Sequence, residues 1–210
     1  MGTSNWQNIS YCIDVIRKIA PKKILDAGIG FGRWGILSRE FLEVWEGRVR
    51  SKDWELQIDG VEIFNSNIEE YLKYFYSNIY NIDAYQYINS TPDFYDLIII
   101  GDMLEHLEKR KANDFLHNCM AKSKFVMINI PIGNDWEQSE MYGNIYEKHL
   151  SYWKVKDFDI YKPIKIKVFR DYILRKFVVI ILSKYESVLP SKINDLVFAV
   201  KYRLKRILKF

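Results

Sequence analysis

The fold of this chain is decided by residues 24–35, which read ILDAGIGFGRWG. An apolar run ends in an acid, three glycines follow at alternate positions, and an amphipathic segment begins directly after them. Glycine permits positive φ angles and lets a ligand lie against bare backbone. The N-terminus of a helix offers unpaired N–H groups. A strand, a glycine loop and a helix in this order therefore predict a pocket for a nucleotide-like cofactor.

The segments around this stretch alternate between strand and helix patterns. Predicted strands cover residues 22–27, 54–62, 78–82, 96–100 and 124–130, and predicted helices cover 6–20, 33–44, 64–76, 83–88 and 105–122. The run from Leu97 to Ile100 is continuously apolar, as expected of a central strand buried on both faces. Regular alternation predicts a parallel sheet with helices on both faces.

The pattern changes after Pro131. Residues 131–150 are polar and indicate a loop or lid, and Ser151 could cap a helix over residues 152–158. Two strand patterns follow at residues 163–170 and 177–184 with no helix between them, which predicts an antiparallel hairpin. The fold class is therefore α/β, with a doubly wound, mostly parallel seven-stranded sheet whose last strand is reversed.

The length of 210 residues favours one domain with a small appendage. We assign residues 1–190 to this domain, with the helix within residues 1–20 covering the site, and residues 191–210 to a separate amphipathic helix. That last segment has a local net charge of +5, whereas the rest of the chain has a net charge of −1. The neutral body gives no case for nucleic-acid binding. The basic helix has two open interpretations: packing on the body or a second copy, or lying on an anionic membrane surface.

The two cysteines, Cys12 and Cys119, are far apart in the sequence and indicate reduced thiols in a cytoplasmic protein. The first ten residues lack the apolar core of a signal peptide, and no apolar run approaches the ~18 residues of a membrane span. The expected location is the cytoplasm, with peripheral contact at the inner membrane face if residues 191–210 bind lipid.

Several motifs occur in an order that resembles the class I S-adenosylmethionine-dependent methyltransferases. Residues 26–32, DAGIGFG, look like the family's acid-x-Gly-x-Gly-x-Gly loop, and Glu62 stands at the end of the second strand. Residues 81–84, NIDA, and residues 95–106, YDLIIIGDMLEH, are similar to the elements after the third strand and around the fourth. The resemblance covers about residues 20–185, including the reversed final hairpin.

This resemblance implies a cofactor, S-adenosylmethionine, with S-adenosylhomocysteine as product, and it implies a role for each matching residue. Gly28, Gly30 and Gly32 would face the methionine part, Glu62 would bind the ribose hydroxyls, Ile63, Asp83 and Ala84 would contact adenine, and Asp102 and Met103 would lie near the ammonium group. For Asp26, orienting the loop and binding the ammonium group remain equal alternatives. Carboxylates at the carboxyl ends of parallel strands suit a cationic sulfonium better than a pyrophosphate.

His106 and His149 are the candidate catalytic bases, because imidazole titrates near neutral pH. A hydroxyl acceptor on a small molecule or a saccharide, including a lipid-linked one, would need such a base. Asp102, Asn129, Asn134 and Asp135 do not have the spacing of a catechol-type metal site, so we expect no metal.

Two other functions stay open. Residues 30–35 satisfy Gly-x-Gly-x-x-Gly, and Tyr152 with Lys156 forms a Tyr-x-x-x-Lys pair, as in NAD-dependent oxidoreductases. However, Asp26 and Gly28 precede that glycine pattern, and the ribose-binding acid would come too late. A non-catalytic, methyltransferase-like binding or scaffold subunit is the second alternative, because the sequence identifies no certain base.

Overall fold

The computed structural model describes residues 5–185. The predicted basic helix over residues 191–210, with any membrane or partner contact it makes, lies outside the described residues. No helix in the described part is long and apolar enough to cross a bilayer.

One sheet forms the centre of the described chain. Its strands are β1 Lys23–Ala27, β2 Gln57–Val61, β3 Asn78–Tyr80, β4 Tyr95–Gly101, β5 Ser123–Ile132, β6 Lys165–Arg170 and β7 Lys176–Ser183. The spatial order is β3-β2-β1-β4-β5-β7-β6. Strands β1 to β5 are parallel, and β7 runs antiparallel to both β5 and β6. The predicted fold class and its reversed last strand are confirmed.

Helices cover both faces of this sheet. They are α1 Ile9–Ile19, α2 Arg33–Arg39, α3 Glu70–Phe75, α4 Ala84–Ser90 and α5 Lys109–Ala121. Successive strand residues point to opposite faces. Ile98 therefore packs in one core with Phe115 of α5, while Ile99 packs in the other core with Ile16 of α1. Both cores consist of buried apolar side chains, which hold the carboxyl ends of the strands in a fixed arrangement.

Several predicted helix boundaries were wrong for local reasons. The helix predicted over residues 152–158 is absent, because the Ser151 hydroxyl accepts from Trp153 Nε1 (2.9 Å) instead of capping. A 3₁₀ helix over Val155–Tyr161 forms in its place. Likewise α5 begins at Lys109 rather than at residue 105, after a 3₁₀ turn over Leu104–His106.

The helix predicted over residues 64–76 begins only at Glu70. The Glu62 carboxylate accepts the Phe64 N–H (2.9 Å), and the chain then makes a 3₁₀ turn over Asn65–Asn67. The helix predicted over residues 33–44 ends as a π-helix over Glu40–Val44. These differences do not affect the strand order. They change the conformation of the segments that follow the strands.

Candidate active site

A cavity of about 930 Å³ opens at the carboxyl ends of the parallel strands. Ten of the predicted site residues line it: Gly28, Gly30, Glu62, Ile63, Asp83, Ala84, Asp102, Met103, His106 and His149. Asp26 and Gly32 do not line it. Ligands of doubly wound sheets bind at this end, so the fold brings most of the predicted residues together where a cofactor would lie.

The glycines of the loop have two different surroundings, the cavity and the core. All three glycines have positive φ angles, 83° at Gly28, 50° at Gly30 and 82° at Gly32. A Cβ on Gly30 would meet no atom within 4 Å, whereas one on Gly32 would lie 2.4 Å from Leu72 Cδ2. The backbone at Gly30 is therefore open to a ligand, and Gly32 is required for packing against α3.

Glu62 follows β2 and is held rigidly beside the glycine loop. Its Oε2 accepts the Gly30 N–H (3.0 Å) and its Oε1 accepts the Phe64 N–H (2.9 Å). Burial raises the pKa of Glu62, and the backbone donors oppose that effect. Since each carboxylate oxygen has more than one acceptor position, Glu62 can still accept from two ligand hydroxyls.

Asp26 lies in the interior beneath the loop and is only 1% exposed. The Tyr76 hydroxyl donates to its Oδ2 at 2.5 Å. Burial raises the pKa of Asp26 to about 7, although the Tyr76 hydrogen bond opposes that rise. Of the two interpretations of Asp26, this placement supports the one in which it orients the loop.

The next two strand ends bring further acids to the cavity. Asp83 caps α4 by accepting the Tyr85 N–H (2.7 Å), and its other oxygen accepts from Lys111 Nζ (2.8 Å). Asp102, directly after β4, has a φ angle of 49°, a conformation that non-glycine residues rarely adopt outside turns and functional sites. This turn places Met103 against the loop, 3.1 Å from the position of a Cβ on Gly28.

The two candidate bases lie together in the lining of the cavity. The rings of His106 and His149 lie 4.9 Å apart, edge to face. Nδ1 of His106 is 3.1 Å from the Lys148 carbonyl oxygen, and Nδ1 of His149 contacts the Trp136 carbonyl oxygen. Burial lowers the pKa of His149, and the neighbouring His106 lowers it further. The neutral imidazole is the form that accepts a proton.

The structure adds cavity residues that the sequence analysis did not single out: Asn5, Arg33, Glu105, Trp136, Tyr172 and Arg175. The Arg175 guanidinium lies 3.9 Å from the centre of the Trp136 ring, and Trp136 Nε1 donates to the Lys176 carbonyl (2.9 Å). These contacts join the 131–150 segment to the β6–β7 hairpin. Two of them had a sequence signal: Glu105 stands beside His106 at the end of the 95–106 motif, and Arg33 directly follows the glycine loop.

No protein-family model matches the sequence, and no curated protein matches it. Solved structures do match the fold. TehB from Haemophilus influenzae has a TM-score of 0.59 at 14% identity over 84% of this chain, which spans 62% of TehB. The N-methyltransferase NodS from Bradyrhizobium japonicum WM9 has a TM-score of 0.56 at 10% identity, covering 86% of this chain and 95% of NodS.

A SAM-dependent methyltransferase from Archaeoglobus fulgidus has a TM-score of 0.53 at 17% identity, covering 83% of this chain and 94% of that protein. At such low identity the likeness concerns the backbone arrangement. The seven strands, their order and the cavity at their carboxyl ends agree with it. The described chain has the fold of the class I S-adenosylmethionine-dependent methyltransferases.

Proposed function

We propose that this chain is an S-adenosylmethionine-dependent methyltransferase that methylates a hydroxyl group of a small-molecule or saccharide acceptor. One observation carries the proposal. The open backbone of Gly30 and the carboxylate of Glu62 face the same cavity and are joined by a 3.0 Å hydrogen bond. A sulfonium nucleoside needs both features, a bare backbone for its amino-acid part and an acid for its ribose.

The lining also favours a cationic ligand over a dinucleotide. Six acidic side chains line the cavity, Glu62, Asp83, Asp102, Glu105, Glu108 and Glu147, against three basic ones, Arg33, Lys111 and Arg175. The excess of acids attracts a sulfonium and an ammonium group and disfavours a pyrophosphate. Ile63 and Ala84 supply apolar contact beside Glu62, where the adenine ring would lie.

When bound, S-adenosylmethionine would supply an electrophilic methyl group: the acceptor oxygen would bond to its carbon in line as the carbon–sulfur bond breaks, with S-adenosylhomocysteine as the leaving group. The chain has two tasks in that reaction, to align the acceptor and to take its proton. Alignment of the two bound reactants supplies a large part of the rate enhancement in reactions between two substrates. His106 or His149 takes the hydroxyl proton, because a backbone carbonyl holds Nδ1 of each ring and leaves Nε2 as the basic atom.

Four aromatic rings line the cavity, Trp136, Tyr142, Tyr146 and Tyr172. The first three belong to the 131–150 segment, beside which we place the acceptor. Flat apolar rings with polar edges suit a sugar or another small cyclic alcohol. The N-terminal domain of EvdMO1, structurally similar at a TM-score of 0.55 and 13% identity, was determined in the presence of SAH and D-fucose. This supports a saccharide as the first class of acceptor to test.

Calorimetric titration tests the proposal, with S-adenosylmethionine and S-adenosylhomocysteine as ligands and NAD as the negative control. We expect micromolar binding of the two sulfur ligands and none of NAD. Glu62→Gln should weaken that binding by about 10- to 100-fold, because removing a charge-assisted hydrogen bond costs about 1.5–3 kcal/mol. Glu69→Gln, an exposed acid outside the cavity, should bind normally.

Absence of binding to both sulfur ligands would contradict the proposal and favour the non-catalytic scaffold alternative. Binding of NAD would instead favour an oxidoreductase. Normal affinity in Glu62→Gln would contradict our placement of the ribose.

A further inference from the structure

We propose that Glu105, His106 and His149 bind a divalent transition-metal ion. One ligand atom from each side chain lies within 4.8 Å of those from the other two. Two imidazoles and one carboxylate are a set that Mn²⁺, Fe²⁺, Co²⁺ and Zn²⁺ accept, whereas Mg²⁺ and Ca²⁺ prefer oxygen ligands. The expectation of no metal rested on the spacing of Asp102, Asn129, Asn134 and Asp135, and the sequence does not show that Glu105, His106 and His149 lie together.

Both histidines are oriented as metal ligands usually are. The carbonyls of Lys148 and Trp136 can only accept, so Nδ1 of each ring carries the hydrogen. The lone pair of each neutral ring is then on Nε2, the atom that can bind an ion. Metal-binding histidines typically donate their other N–H to a backbone carbonyl or carboxylate, which fixes the tautomer and the ring direction.

Glu105 is the observation that points to an ion rather than to a simple pair of bases. Its side chain is 2% exposed, and its Oε2 has no hydrogen-bond partner among the described residues. A buried polar atom without a partner is costly. A divalent cation would supply the partner that this carboxylate lacks.

The backbone holds the two halves of the cluster together. The Glu105 carbonyl accepts the N–H groups of Leu150 (2.8 Å) and Ser151 (3.0 Å), and the His149 N–H donates to the Gln138 carbonyl (3.0 Å). Ligand atoms bound at ~2.1 Å lie at most ~4.2 Å apart. The separations of up to 4.8 Å among the three side chains are slightly longer than this, so the side chains must move closer together to bind an ion.

A role for this ion rests on the proposed function. All three ligands line the cavity, so an acceptor hydroxyl could complete the coordination of an ion held there. Coordination lowers the pKa of a bound hydroxyl, so its proton passes to water. The oxygen then forms its bond to the methyl carbon as the carbon–sulfur bond breaks. With an ion bound, the histidines would act as ligands, and this role would replace the role as bases that the proposed function gives them without a metal.

The test is metal titration of the full chain, free of any histidine tag and dialysed against EDTA and then against buffer. Co²⁺ binding is followed by visible absorption, which reports nitrogen ligation, and Zn²⁺ and Mg²⁺ binding by calorimetry. We expect one Co²⁺ or Zn²⁺ per chain, held at least tenfold more tightly than Mg²⁺. Glu105→Gln and His149→Ala should each weaken Zn²⁺ binding by at least about 10-fold.

His117→Ala is the matched control, because this histidine lies on α5 against the Tyr161 ring and outside the cluster. It should bind metal normally. A wild-type chain that binds no Co²⁺ or Zn²⁺ would overturn the inference, and this measurement needs no variant to fold. Folded Glu105→Gln and His149→Ala proteins that keep full affinity would also overturn it.

Titration of S-adenosylmethionine in EDTA separates this inference from the proposed function. If the cofactor binds and no metal does, the metal site alone is refuted. If the metal binds and the cofactor does not, the methyltransferase proposal fails and the metal site stands.

Discussion

Replacing Asp26 with asparagine should stabilise the protein, by an amount that depends on pH. Asp26 is buried beneath the glycine loop, and its pKa is raised from 3.8 to about 7. This rise corresponds to a cost of about 4 kcal/mol for ionising Asp26 in the folded protein compared with the unfolded chain. Asparagine resembles the protonated acid, because it is neutral and its oxygen can still accept from the Tyr76 hydroxyl.

The direction of this pH dependence follows from the fact that the folded chain binds the Asp26 proton more tightly than the unfolded chain does. Between about pH 4 and pH 7 the folded chain retains the Asp26 proton and the unfolded chain has lost it. The free energy of unfolding therefore falls as pH rises through this window and is level above it. The free energy of unfolding of the Asp26→Asn variant does not fall in this way. The variant should therefore exceed the wild type in free energy of unfolding by near zero at pH 4 and by as much as about 4 kcal/mol at pH 8.

Urea unfolding followed by far-UV circular dichroism, at intervals from pH 4 to pH 8.5, measures this difference. Asp53→Asn is the control, since Asp53 is exposed, and its difference from the wild type should not change with pH. A difference for Asp26→Asn that is constant, or that shrinks as pH rises, would refute the reasoning. It would mean that Asp26 is ionised in the folded protein with no penalty for burial.

Two glycine substitutions separate packing from binding. Gly35→Ala places a Cβ 2.3 Å from Tyr76 Cζ and should lower stability by about 1–3 kcal/mol, measured as a lower Tm. Gly30→Ala meets no atom within 4 Å and should cost only about 1–2 kcal/mol through its positive φ angle, while S-adenosylmethionine affinity falls because the methyl enters the cavity. Equal binding losses in both variants would contradict this division. His106→Ala and His149→Ala should each reduce turnover with a saccharide acceptor while cofactor affinity stays near normal; unchanged turnover in both would remove histidine from the mechanism.

The sequence by itself determined the sheet, the reversed last strand and the position of the cavity. Each of these depends on short-range patterns: apolar runs of strand length, glycines directly after an acid, and two strands with no helix between them. Gly28, Gly30, Glu62 and Asp102 could be placed at strand ends for the same reason, since parallel strands bring their carboxyl ends to one edge.

Only the tertiary structure decided which side chains meet. Asp26 and Gly32 belong to the same loop motif as Gly30, yet they face the interior, because α3 packs over this side of the loop and presents Leu72, with Tyr76 directly after it. His106 and His149 are separated by a helix and a strand, and hydrogen bonds from residues 150 and 151 to Glu105 bring them together. Contacts of this kind depend on how loops pack across the end of the sheet, which no local pattern in the sequence encodes.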